Sequence, residues 1–208
     1  MRCLKFKYKM DFGHLLCFLE VEMLKSKLDE FLAEMPIIAA VQENAWKDAL
    51  ESPAKVIFCL KANLMTIKDR IAQAHAKGKL VFVHLDLADG IGKDKTGLEF
   101  LSSCGVDGVI TTRGNLVRYA KEMGIITVQR FFALDSQGVS GINDLISNSR
   151  PDYIEIMPGV IEKIISNFSK GNIPVIAGGL IENKSEVTSA LSNGAIAVST
   201  GRKDLWYL

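Results

Sequence analysis

The residues with the clearest chemistry stand in one stretch, PVIAGGLIENKSEVTSALSNGAIAVST, over 174–200. Gly178 and Gly179 end one apolar run, Ser199 and Thr200 end the next, and an amphipathic segment lies between them. Glycine has no Cβ, so backbone N–H groups at such a turn approach an anion closely, and a helix starting nearby adds the positive end of its dipole. The expected chemistry is phosphate binding by Gly178, Gly179, Ser199 and Thr200. A tight turn with no ligand is the plainer alternative.

Other chemistry lies at the ends of further apolar runs. In KLVFVHLDL, over 79–87, Leu80, Phe82, His84 and Asp86 alternate, so a strand there carries His84 and Asp86 on one face at its carboxyl end. Such a pair is either a general base with its orienting carboxylate or a structural hydrogen-bonded pair. The same spacing puts Lys61 with Ile57 and Cys59, and Arg130 with Ile126 and Val128. Glu155 interrupts an otherwise apolar run, where an unpaired charge would be costly, so Arg130 or Lys61 is expected to meet it. The run GIGKDK, over 90–95, lacks the spacing and the ending of a P-loop. Its Lys93 and Asp94 suit a mouth loop or a helix cap. Arg202, Lys203, Trp206 and Tyr207 mix base and aromatic as RNA-binding surfaces do, and as packed termini also do.

The elements that must hold these residues form a regular series. Apolar runs over 36–41, 55–60, 79–87, 107–112, 125–132, 152–157, 174–179 and 195–200 alternate with segments such as IKDRIAQAHAKG and NLVRYAKEMG, whose apolar positions recur at three and four and which Gly78 and Gly124 cap. Near-continuous apolar strands joined by helices mean a parallel sheet, and eight of them predict closure into a single small (β/α)8 barrel. Strand ends of such a barrel meet at one mouth, and the loops after its last two strands form a phosphate site in many proteins of that fold. Only GRKDLWYL follows the last run, so the eighth helix is expected to be vestigial.

Composition bounds the rest. A chain of 208 residues, 48% hydrophobic, supports one core rather than two domains. Lys and Arg number 25 against 24 Asp and Glu, so no global field holds nucleic acid or an anionic membrane, and a polyanion must be met by a local basic patch. Cys3, Cys17, Cys59 and Cys104 are far apart, with no CxxC pair, which points away from zinc and disulfides and toward a reduced cytoplasm. Residues 1–22 begin basic and turn apolar, but Glu20 and Glu22 interrupt the run. They are taken as an N-terminal extension, docking helix or strand, and 23–208 as the barrel domain.

The strings PIIAAV, SPAKVIF, FVHLDLADGIGKD, DGVITT, VQRFFALDS, PDYIEIMPG, PVIAGGLI and GAIAVST with the later LW together resemble the bacterial glycerol-3-phosphate-responsive antiterminators of glycerol operons, in order from about Pro36 to Trp206. The resemblance implies a non-enzymatic barrel that binds glycerol 3-phosphate as effector, with no further cofactor and no metal, and then acts on leader messenger RNA so that transcription passes a terminator. It carries Lys61, His84, Asp86, Arg130, Asp135, Glu155, Gly178, Gly179, Ser199 and Thr200 as pocket positions. Within that frame Lys61 or Arg130 supplies the countercharge, Asp86 and Glu155 accept the glycerol hydroxyls, and Lys93, Lys95, Arg113, Arg202 and Lys203 are candidates for RNA. Self-association is left open, and no membrane contact is expected. A phosphosugar isomerase, aldolase or phosphodiesterase using His84, Asp86 or Glu155 as acid and base is the alternative.

Overall fold

The computed structural model describes residues 12–133 and 136–208. A long helix, α1 (Phe12–Glu34), precedes eight strands: β1 (Ile37–Val41), β2 (Val56–Cys59), β3 (Leu80–His84), β4 (Gly108–Thr111), β5 (Ile126–Phe132), β6 (Tyr153–Met157), β7 (Val175–Gly178) and β8 (Ala197–Thr200). Every neighbouring pair is parallel, and β8 pairs with β1 to close the barrel. Between strands run α2 (Trp46–Glu51), α3 (Ile67–Ala76), α4 (Lys95–Ser103), α5 (Gly114–Glu122), α6 (Ser136–Ser149), α7 (Glu162–Phe168) and α8 (Lys184–Ser192). After β8 there is only a 3-10 turn, Lys203–Tyr207, in place of an eighth outer helix. Trp206 in that turn is fully buried, and its Nε1 donates to the Thr200 carbonyl at 2.8 Å. Gly78 and Gly124 end α3 and α5 at φ +70° and +72°.

Two cores follow from the period-two alternation of the strands. Ile38, Val56, Phe58, Leu80, Phe82, Ile110, Ile126, Val128, Tyr153, Ile176 and Ala197 fill the interior. The alternate set, including Ile57, Cys59, Val81, Val83, Val109 and Val198, packs outward against the helices. Gly108 is required inside because a Cβ there would lie 2.1 Å from the Phe82 ring. This assignment corrects one sequence expectation. Ile57 and Cys59 face the helices rather than the interior, and Lys61 lies exposed beyond the end of β2.

α1 closes the amino-terminal end of the barrel. Its Leu28 and Leu32 are buried in the same cluster as the interior strand residues, with Leu24 and Phe31 packed beside them. Tyr153, the first residue of β6, donates its hydroxyl to Asp29 at 2.5 Å, and Lys25 reaches Asp152 at 3.3 Å. The helix runs unbroken across Met23, the expected boundary between the extension and the barrel domain. Residues 1–11 of the expected extension lie outside the described residues. Among the described residues no helix is long and apolar enough to cross a membrane.

Candidate functional site

At the carboxyl end of the strands a pocket of about 270 Å³ is lined by Arg130, Glu155, Gly179, Leu180, Glu182, Ser199, Thr200, Gly201 and Arg202, among others. Its walls are the loops after β7 and β8, as expected, and they are cross-tied. Thr200 donates its hydroxyl to the Ile181 carbonyl at 2.8 Å and accepts the Arg202 backbone N–H at 3.1 Å. From the other side the Gly159 N–H donates to the Gly178 carbonyl at 2.6 Å. Both glycines of the turn are required. A Cβ on Gly178 would stand 2.4 Å from Glu155 Oε1, and Gly179 has φ +75°. Leu180 follows at φ +59° and is 68% exposed, an uncommon conformation for a leucine.

The helix end contributes less than expected. The N-terminus of α8 lies beyond 180–183 and is closed by its own capping box, in which Asn183 accepts the Glu186 N–H at 3.1 Å and Glu186 accepts the Asn183 N–H at 3.3 Å. An anion in the pocket therefore meets the loops rather than a bare helix terminus.

Beneath the pocket, Glu155 is fully buried and holds both oxygens in charge-assisted bonds. Arg130 Nε donates to Oε2 at 2.6 Å, and the Ser199 hydroxyl donates to Oε1 at 2.6 Å. The β5–β6 register sets this pair, since Arg130 stands directly beside Glu155 across the ladder. Of the two partners expected for Glu155, Arg130 is the one present. The arrangement alters two roles: the hydroxyl protons of Ser199 and Thr200 are both engaged by protein acceptors, which leaves the loop backbone and the Arg130 and Arg202 side chains to face the pocket.

His84 and Asp86 do not form a dyad. β3 ends at His84 and a 3-10 turn, Leu85–Leu87, follows, which breaks the alternation that would have put both side chains on one face. Asp86 turns to β4, accepting from Thr111 Oγ1 at 2.9 Å and from the Thr112 N–H and hydroxyl at 2.7 and 3.0 Å, with Arg113 Nε at 3.5 Å. His84 is 3% exposed, and its Nδ1 has no hydrogen-bond partner among the described residues. Burial first, and the nearby Arg130 second, depress its pKa to about 4, so it is neutral at pH 7.

Lys61 and Asp86 line a second basin of about 550 Å³ with Gln42, Asp89 and Lys93, separated from the first by Leu60, which borders both. Lys93 is tied into its own loop, donating to the Ala88 and Ile91 carbonyls. Asp94 caps α4, accepting the Gly97 N–H at 2.9 Å, and Lys95 stands exposed at the first position of that helix. Arg202 meets Asp204 at 3.2 Å and Lys203 meets Asp48 at 2.5 Å. Asp135 lies outside the described residues. Sequence reasoning missed Leu180, Gly201 and Glu182 as lining residues and gave Arg202 to RNA alone; the glycine directly after Ser199-Thr200 was the available signal. Among the described residues no three His, Cys, Asp or Glu side chains are grouped to hold a metal ion.

With this geometry in hand, comparison with known proteins is specific. The family model described as glycerol-3-phosphate responsive antiterminator matches residues 37–206. The crystal structure of the glycerol uptake operon antiterminator regulatory protein of Listeria monocytogenes is 37% identical, with a TM-score of 0.77 over 83% of this chain and 95% of that one. A glycerol uptake operon antiterminator-related protein of Thermotoga maritima is 32% identical, with a TM-score of 0.74 over 82% and 96%. The uncharacterized protein YgcP of Escherichia coli is 32% identical over 180 residues, 85% of this chain and 94% of that protein.

Proposed function

The chain belongs to the glycerol-3-phosphate-responsive antiterminators, and on that footing we propose that its barrel mouth binds glycerol 3-phosphate and thereby controls contact with leader messenger RNA. One observation carries the effector reading: two cross-tied loops with a mandatory glycine turn stand over a buried Arg130–Glu155–Ser199 cluster in a pocket of about 270 Å³. The phosphate lies against the loop backbone at Gly179 and Gly201, which line the pocket, Gly178 shapes the turn beside buried Glu155, and Ser199 and Thr200 hold those loops in place. Arg130 supplies countercharge from below, while Glu155 accepts from the glycerol hydroxyls; His84, buried and in the lining of neither basin, backs the site. Lys61 and Asp86, across Leu60, serve the far side of the mouth.

The regulator reading is favoured over an acid–base enzyme because Asp86 is engaged by Thr111 and Thr112 and leaves His84 without an orienting carboxylate. RNA contact falls to exposed cations around the same mouth, Lys95, Arg113, Arg202 and Lys203, with Lys93 bracing its loop, and the expected setting is the cytoplasm. Glycerol 3-phosphate should raise the melting temperature and glycerol should not. The stabilisation is about 2.7 kcal/mol at a hundredfold excess over Kd. In Gly179→Ala the shift should vanish, since φ +75° strains any L side chain there. A full shift in that variant, or robust His84-dependent turnover of glycerol 3-phosphate, would overturn the respective parts of this reading.

A further inference from the structure

A phosphate monoester carries close to two negative charges at neutral pH, and the pocket has few positive charges to offer it. Arg130 and Arg202 are the two cations in the lining. Arg130 is already matched by buried Glu155 at 2.6 Å, and Glu182 brings a second carboxylate to the same wall. Without Arg202 the charged lining would be net negative toward an anion.

Arg202 is unlike Arg130 in every respect that bears on exchange. Its partner Asp204 lies two residues away, and the two side chains are 55% and 62% exposed. An ion pair in that setting has little net worth, because water and salt compete with it. Its backbone, by contrast, is anchored: the Arg202 N–H donates to Thr200 Oγ1, and buried Trp206 holds the Thr200 carbonyl from the other side. The lip of the pocket is therefore fixed while the guanidinium that hangs from it is loosely held. A planar fork of N–H donors also matches phosphate oxygens better than it matches the single Nε contact it now makes.

We propose that Arg202 is an exchangeable countercharge of the effector site, held by Asp204 in the empty protein and taken over by the phosphate of the ligand. The inference rests on the effector reading above and deepens it. Arg202 then belongs first to the effector and only through it to the RNA face. Because the exchange releases Asp204 beside Lys203, occupancy of the pocket changes the charge pattern of the exposed turn after β8.

The test is calorimetric titration of the full chain with glycerol 3-phosphate, and with inorganic phosphate as a second probe, at fixed low salt. Arg202→Gln should weaken binding on the order of 10- to 100-fold. Arg202→Lys should lie between that variant and the wild type, since it keeps the charge but loses the fork. Asp204→Asn should strengthen binding, by about two- to fivefold, because it removes the competitor. That gain has a sign that a merely structural role for the pair would not produce, and melting temperatures without ligand check that all variants fold. A wild-type chain that fails to bind glycerol 3-phosphate overturns the effector reading itself. Wild-type binding that Arg202→Gln leaves intact, or that Asp204→Asn leaves unchanged or weakens, overturns the exchange alone.

Discussion

Glu155 shows how one residue type in an unexpected place constrains its surroundings. A carboxylate with no exposed surface is tolerable only because Arg130 and Ser199 occupy its oxygens. Glu155→Ala would leave the Arg130 guanidinium buried and unmatched, so urea denaturation should show a loss of about 3–5 kcal/mol, largely recovered when Arg130→Met is added. If the single variant proved as stable as the wild type, the pair would not be the support of the mouth. His84 sets a pH dependence whose sign is fixed by its depressed pKa. Between about 6.5, the unfolded value, and about 4, the unfolded chain takes up a proton that the folded chain refuses. The stability linked to neutral His84 is thus fully present above that window and is lost as pH falls through it, by about 3 kcal/mol in all. Denaturation curves at pH 7 and pH 4.5 should diverge for the wild type and much less for His84→Asn. The Arg130–Glu155 pair was legible in the sequence because a lone charge in an apolar strand demands a partner and the period of two brings Arg130 to the same face. The His84–Asp86 arrangement was not, since the same period fails once the chain leaves the strand at His84 and enters a 3-10 turn.

Among the elements, the eight strands were readable because a strand buried on both faces is apolar almost throughout, and glycines and polar clusters mark where each one stops. The start of α1 was hidden for the complementary reason: its apolar residues are spread around the helix, so no stripe marks where it begins. Its lower half is nevertheless a structural plug. Leu28 is 2% exposed against the barrel interior, and Leu28→Ala should cost about 2–5 kcal/mol by the cavity it leaves. We propose that 23–208 is the folding unit, since Leu24, Leu28, Phe31 and Leu32 all lie within it. A chain starting at Met23 should then melt within a few degrees of the full chain, whereas one starting at Pro36 should lose cooperative melting. Cooperative melting of the shorter chain at an unchanged temperature would show that α1 is not needed to close the barrel.

For the whole molecule the governing quantity is charge. With a formal net charge of +1 the protein has no long-range attraction for RNA, and its mouth cations are mostly engaged by neighbouring acceptors, Arg113 by Asp86, Lys203 by Asp48 and Lys93 by two carbonyls. Any RNA complex must therefore rest on few phosphate contacts. For a single-stranded segment each contact contributes about 0.7 to the slope of log K against log salt, so contacts from Lys95, Arg113 and Lys203, with Arg202 given to the effector, predict a slope of about −2, far shallower than for a basic nucleic-acid binder. Glycerol 3-phosphate should tighten leader RNA by a definite factor, and by linkage the RNA must tighten glycerol 3-phosphate by that same factor. Titrations in both directions at one stated salt concentration supply both numbers. The double substitution Arg202→Ala/Lys203→Ala should flatten the slope by less than one, through Lys203, and reduce the coupling, through Arg202 at the effector lip. Lys95→Ala should flatten the slope by less than one and leave the coupling intact, since Lys95 is not among the residues lining the pocket. RNA affinity that is identical with and without effector would leave a phosphate-binding barrel whose regulatory output is exerted through some contact other than RNA at this mouth. Coupling that persists undiminished in Arg202→Ala/Lys203→Ala would keep the gating and move the RNA to another face.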